Sequence, residues 1–212
     1  MGKAILIIGK SGSGKSSSMR NFKDLAIINV LGKELPFKDA QIPYITDDYN
    51  KIMRALLKTE KKSIVIDDAG YLMTNQFMRG HSTSGSGNAI FSFYNDLGDK
   101  FWNLIMFIKT QLPDDKLVYL TMHEEKNDFG DIKPKSIGKM LDEKVCIEGM
   151  FTIVLRSLFS CGNYVFKTKT DGTDVCKTPI GMFEQEEIDN DLALVDEAIR
   201  KYYGLNNESE DK

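Results

Sequence analysis

Residues 9–16 read Gly-Lys-Ser-Gly-Ser-Gly-Lys-Ser, and this stretch restricts the chain more than any other. It fits G-x-x-x-x-G-K-[ST]. Ahead of it, Ala4-Ile5-Leu6-Ile7-Ile8 is an unbroken apolar run, the pattern of a strand buried on both faces. Behind it, Ser16 to Phe22 contains no Gly or Pro and can start a helix. Glycines let the backbone curl so that successive N–H groups face inward toward phosphate oxygens. A helix beginning there adds its free N–H groups and positive dipole end. In that arrangement Gly9, Lys10, Ser11, Gly12, Ser13, Gly14, Lys15, Ser16 and Ser17 form a phosphate cradle. Lys15 reaches the β- and γ-phosphates, and the Ser16 hydroxyl ligates Mg²⁺.

A second motif supplies the metal-side acid. Ser63-Ile64-Val65-Ile66 leads into Asp67-Asp68, a buried strand ending in two carboxylates. This is the Walker B pattern, in which the strand delivers a carboxylate beside the phosphate loop to hold the Mg²⁺ water shell. Asp67 is the expected metal-side residue. Asp68 is expected either behind it or as the hydrolytic base.

Other polar groups fall at strand ends, where ligands of open α/β sheets bind. Leu25 to Val30 reads as a strand, and Gly32-Lys33-Glu34-Leu35-Pro36-Phe37 as the polar turn that follows. Glu34 is a candidate to orient or deprotonate a water; an exposed turn glutamate is the plainer alternative. Leu117 to His123 reads as another buried strand, and Thr121 or His123 at its end would sense the γ-phosphate. Thr46 is expected to cap a helix whose stripe is Tyr49, Ile52, Met53, Leu56 and Leu57. Phe91 to Leu112 has helical periodicity, with its aromatics expected in the core and Gly98 as a possible break. Phe151–Arg156 and Tyr164–Lys169 alternate about a turn at 160–163, predicting a hairpin that puts Lys167 and Lys169 on one face. A last helix, beginning near Asp189-Asn190 and ended by Gly204, carries Ile188, Leu192, Val195 and Ile199.

Two polar connections are candidates for nucleic-acid contact, and solvated loops otherwise. Residues 79–89, containing Arg79 and His81, are rich in Gly and Ser and are expected to be flexible. Residues 124–144 carry Lys126, Lys133, Lys135 and Lys139 around Pro134, which argues against one regular helix. Net charge decides nothing alone. The chain carries −3 overall, but residues 184–212 hold ten acidic and three basic side chains, leaving +4 on residues 1–183. A mildly basic body with an acidic end is compatible with DNA contact. No apolar run approaches the length of a membrane span. The N-terminus enters the first strand directly, so no signal peptide is expected. Three widely spaced cysteines without a C-x-x-C argue against a disulfide framework or a zinc site and for reduced thiols in the cytoplasm.

Taken in order, phosphate loop, strand with Glu34, Walker B strand, loop, helix, sensor strand, loop and hairpin, the chain resembles the RecA-like ATPase core. The segments Asn29–Phe37 and Lys177–Phe183 look like phage nucleotide-binding proteins grouped as an AAA-type domain, some of them core-only RecA-like recombinases that assist single-strand annealing. The resemblance implies an α/β fold with a mostly parallel central sheet flanked by helices, ending in a β-hairpin and helix. It covers nearly the whole chain, in keeping with a single domain over 1–204, and residues 205–212 are polar and expected to be a disordered tail. It also implies ATP and Mg²⁺ as ligands and single-stranded DNA as partner, with loops 79–89 and 124–144 in the places of the two DNA-binding loops. Glu34 resembles the catalytic glutamate and His123 the sensor. Lys167 and Lys169 resemble a lysine pair acting in trans on nucleotide at a subunit interface, so a homo-oligomer is expected, with a phage or host single-stranded-DNA-binding protein as a further expected partner. Two rivals stand beside an ATPase: a nucleotide-gated binding module with little hydrolysis, and a small-molecule or nucleotide kinase. The kinase fits poorly, because acceptor phosphates call for clustered arginines and Arg20, Arg54, Arg79, Arg156 and Arg200 are spread singly.

Overall fold

The apolar runs that precede each motif become the middle of one sheet. The computed structural model describes residues 1–85, 87–138 and 145–205. Its strands are β1 (Lys3–Gly9), β2 (Leu25–Asn29), β3 (Tyr44–Ile45), β4 (Ser63–Asp67), β5 (Leu117–Lys126), β6 (Ile132–Pro134), β7 (Ile153–Ser160), β8 (Asn163–Lys167) and β9 (Glu187–Asp189). Among the described residues, the helices are α1 (Tyr49–Lys58), α2 (Tyr71–Gly80), α3 (Asn88–Gln111) and α4 (Leu192–Tyr203). The sheet runs β3-β2-β4-β5-β1-β7-β8-β9, with β6 paired to β5. The strands from β3 through β7 are parallel, and β6, β8 and β9 join antiparallel. The expected α/β class, mostly parallel with a C-terminal hairpin and helix, is what the chain adopts.

Alternation along each buried strand feeds two cores. Leu6, Ile8, Ile64, Ile66, Val118 and Leu120 face one way and pack with Ile52, Leu56, Leu72, Leu104 and Ile108 of α1–α3. Ile5, Ile7, Val65, Leu155 and Phe166 face the other way, against Leu192, Val195 and Ile199 of α4 and against Met182 and Phe183. Burial on both faces is why these strands read as continuous apolar runs rather than alternating ones.

Several local expectations are corrected. The cap of α1 is Asp48, whose carboxylate accepts from the Lys51 N–H at 2.9 Å, while the Thr46 hydroxyl accepts from the Asp48 N–H. The segment after the phosphate loop makes only a 3₁₀ turn, Ser17–Asn21, and not a full helix. Gly98 is buried inside an unbroken α3. Phe91 is exposed, and Phe93 and Tyr94 contact Phe77 of α2, so the aromatics at the start of α3 form a separate cluster. The loop expected at 79–89 is shorter, because Arg79 and Gly80 close α2 and α3 begins at Asn88. The connection after His123 begins as strand: β5 continues to Lys126 and turns back through β6. The hairpin turn is two residues, Cys161-Gly162, both at positive φ (49° and 86°), matching the type I′ turn that fits strand twist. Ile188 belongs to β9, opposite Phe166, and α4 starts later, capped by Asp191. Gly204 ends α4 at φ 65°, as expected of a left-handed cap.

Candidate nucleotide site

Strand register brings the motifs together. Gly9 at the end of β1 pairs with His123 on β5, and Ile66 of β4 pairs with Leu120 of β5. The carboxyl ends of β1, β5 and β4 therefore open onto one pocket of about 320 Å³. Its walls include Ser11, Gly12, Gly14, Lys15, Ser16 and Ser17 from the loop, Glu34, Asp67, Asp68 and His123 from the strand ends, and Lys33 and Tyr164.

The loop is curled and anchored. Gly12 and Gly14 sit at φ 75° and 100°. A Cβ on Gly9 would lie 2.4 Å from Ser13 Oγ and 2.5 Å from the Ser157 carbonyl oxygen, so the loop closes on itself there and admits no side chain. Ser157 on β7 donates to the Ser13 carbonyl at 2.7 Å and accepts from Asn190 Nδ2 at 3.1 Å, tying the loop to the hairpin and to the approach of α4. Lys15 Nζ donates to the carbonyls of Gly9 (2.8 Å) and Lys10 (2.7 Å). Burial holds its ammonium below the usual lysine range, against the pull of Asp68 and Asp67.

The acid side is equally specific. The Ser16 hydroxyl lies 3.0 and 2.9 Å from the two Asp67 carboxylate oxygens. Thr121 donates to Asp67 at 2.8 Å and accepts the Asp68 N–H at 2.8 Å, so it orients both acids. Asp67 is buried, and burial followed by the neighbouring Asp68 raises its carboxyl above the usual range, with the Thr121 and Ser16 bonds opposing. A hydroxyl and a carboxylate in contact suit a hard divalent cation that takes its other ligands from phosphates and water. Among the described residues no group of three or more His, Cys, Asp or Glu comes together.

Asp68 stands at φ 58°, uncommon for a residue with a side chain. Its carboxylate is ion-paired with Lys33 and lies 3.7 Å from His123 Nε2. Burial and Lys15 hold His123 below the usual histidine range, with Asp68 opposing. Burial works against the Lys33 ammonium too, but the Asp68 carboxylate outweighs it and raises Lys33 above the usual lysine range. His123 also walls an adjoining cavity of about 360 Å³ with Lys10, Tyr71, Thr74, Glu124 and Lys135.

Not every candidate residue gathers here. Glu34 does, from an exposed turn. Lys167 and Lys169 do not line the pocket. Lys167 is buried and ion-paired with Asp174 (2.7 Å) and Asp171 (2.9 Å), whereas Lys169 is exposed and donates to the Glu184 carbonyl, so the two do not present the matched cationic face expected. Arg79 pairs with Asp47, and His81 stacks on Phe77. Lys126 ends β5, Lys133 lies 3.6 Å from Glu125, and Lys135 walls the adjoining cavity. Lys139 lies outside the described residues. Sequence reasoning missed Lys33, Ser157 and Asn190. Lys33 was adjacent to Glu34 on the turn already singled out, but nothing local marked Ser157 or Asn190, which arrive from distant parts of the chain.

A family model described as an AAA domain matches residues 1–179. No curated protein matches the sequence.

Proposed function

We propose that this chain, which belongs to the AAA domain family, is a Mg²⁺-dependent ATPase that binds single-stranded DNA and serves phage DNA recombination or replication, as core-only RecA-like proteins do. The family carries the nucleotide-binding part. The observation that supports hydrolysis is the meeting of Lys15, Ser16 and Asp67 in one pocket with Asp68, Glu34 and His123 around it. Phosphoryl transfer asks mainly for positioning and charge stabilisation. Ser16 and Asp67 would hold Mg²⁺, which when bound neutralises phosphate charge. The loop amides and Lys15 bind the phosphates, and a carboxylate or imidazole on the far wall orients the attacking water. Thr168-Lys169-Thr170-Asp171 matches the guanine-binding pattern N/T-K-x-D in sequence, but none of these four residues lines the pocket.

Support for the DNA part comes from the adjoining cavity, where Lys10 and Lys135 supply cations and His123 is a wall shared with the nucleotide pocket. Bound strand and bound phosphate would then act on one side chain. The work would be done in the host cytoplasm, by a homo-oligomer with nucleotide at its interfaces. No described helix is long and apolar enough to cross a membrane.

The test is ATP turnover with and without single-stranded DNA, with Lys15→Ala as control. Stimulation by DNA, lost with Lys15→Ala, is expected; failure to bind either ligand overturns the reading. A nucleotide-gated binding module is the second reading, favoured by the engagement of Asp68 with Lys33. Undetectable wild-type turnover with intact ATP binding would select it, and unchanged turnover in Glu34→Gln would remove Glu34 from catalysis.

A further inference from the structure

We propose that Lys33 is a second phosphate-contacting cation, one that leaves Asp68 for the oxygens of the terminal phosphate when a nucleoside triphosphate binds. The proposal rests on the nucleotide reading above and deepens it.

The turn that carries Lys33 is fixed. Asn29, fully buried at the end of β2, donates through Nδ2 to the Lys33 carbonyl at 2.6 Å and accepts the Gly32 N–H at 2.8 Å. Gly32 takes φ 67°, a conformation open to glycine. An ordinary exposed turn lysine has no such support. The backbone is clamped while the side chain remains 52% exposed, so the ammonium can swing about a fixed root. Asp68 is the opposite: its side chain is 3% exposed, its N–H is held by Thr121, and it cannot follow. If the pair separates, Lys33 is the partner that moves.

Charge supplies the reason to move. Among the described residues, Lys15 and Lys33 are the only lysines or arginines lining the pocket, and none of the five arginines reaches it. One lysine and one divalent ion leave a triphosphate with negative charge to spare. In hydrolysis the water oxygen bonds to the γ-phosphorus as the bond from that phosphorus to the bridging oxygen breaks. The electron pair leaves on the β-phosphate of the diphosphate, and the water proton passes to the released phosphate. Lys33 keeps its own protons throughout and donates hydrogen bonds to γ-phosphate oxygens, where positioned donors stabilise the charge that develops. Asp68 retains His123 beside it when Lys33 departs.

The experiment compares ATP and ADP affinity, with Mg²⁺ present, for the full chain as wild type, Lys33→Met and Lys33→Arg, followed by ATP turnover. Lys33→Met is expected to weaken ATP about tenfold or more while leaving ADP within about threefold, to lower kcat by about 10²-fold, and to be substantially rescued by Lys33→Arg. ADP binding at wild-type strength also shows that the variant has folded. Equal loss of ATP and ADP affinity, or no loss of either, overturns the proposal, since a merely structural ion pair has no preference for the third phosphate. Wild-type protein that binds neither nucleotide would instead remove the underlying nucleotide reading.

Discussion

Removing the Asp196 carboxylate tests what fastens α4 to the sheet. Asp196 lies on the buried face of α4 and accepts from Ser63 Oγ (2.7 Å), Tyr119 OH (2.8 Å) and Arg200 Nε (2.6 Å). Arg200 in turn donates to Ser63 Oγ (2.8 Å) and to the Asp115 carbonyl (3.0 Å). Burial, with the Asp196 charge beside it, raises Tyr119 far above the usual phenol range, so its hydroxyl stays a donor. In Asp196→Ala the guanidinium keeps two neutral acceptors and loses its counter-charge in a site where its side chain is only 13% exposed, and the phenol is orphaned. Breaking one side of a buried pair costs about 3–5 kcal/mol. At about 2–4 °C per kcal/mol for a domain of this size, the Tm falls by about 6–20 °C. Replacing both partners, Asp196→Leu with Arg200→Met, removes the stranded charge and leaves mainly the orphaned phenol, about 1–3 kcal/mol. The double variant is therefore more stable than the single one. Urea or thermal unfolding of the three proteins measures this directly. A single variant within about 1 kcal/mol of wild type, or a double variant as unstable as the single, refutes the reasoning. ADP affinity of the folded fraction stays at the wild-type value, because Ser63 opens β4 and the nucleotide pocket lies beyond its other end.

Two further outcomes follow from the site. Asp67→Asn is expected to stabilise the protein in EDTA without nucleotide while abolishing Mg²⁺-dependent turnover. The wild-type carboxyl is raised by burial and by Asp68, so its ionised form weighs against folding; that penalty is fully present above the raised value and disappears as pH falls through it to the unfolded one. The Tm gain, read by scanning fluorimetry, should be positive at neutral pH and vanish near about pH 4; a variant less stable than wild type at neutral pH refutes it. Gly9→Ala forces a methyl within 2.5 Å of a backbone carbonyl on β7, which no rotamer relieves, and calorimetry should show nucleotide binding lost or weakened by about 10²-fold, equivalent to about 3 kcal/mol.

How much of this was legible depended on whether information was local. Ile5–Ile8 and Ile64–Ile66 declare a doubly buried strand within a few residues, and Gly9–Ser16 carries its geometry in its own spacing, so fold class and phosphate loop could be read directly. Helix caps were harder. Thr46 and Asp48 are both good capping residues two positions apart, and the choice fell to Asp48 because its carboxylate reaches the Lys51 N–H. Strand ends were harder still: β5 runs on to Lys126 because β6 returns to pair with it, a partner that residues 124–126 do not announce. Lys167 looked like half of a surface pair, since period-two spacing cannot foresee that Asp171 and Asp174 fold back onto it. Ser157 touches the phosphate loop from 144 residues along the chain and is itself held by Asn190, and such contacts exist only once the sheet has formed.

The insertion of β5 between β1 and β4 sets a dimension. The strand bearing the loop and the strand bearing Asp67 never pair with each other; each pairs with β5. Their backbones are thus two sheet spacings apart, about 9–10 Å, a gap that a serine and an aspartate side chain reaching inward from either rim can close around one small ion. Strand β5 works as a gauge block, and Thr121, projecting from its top onto Asp67, is the shim. A change in the width of that rim would alter the grip on the cation without touching either residue that holds it.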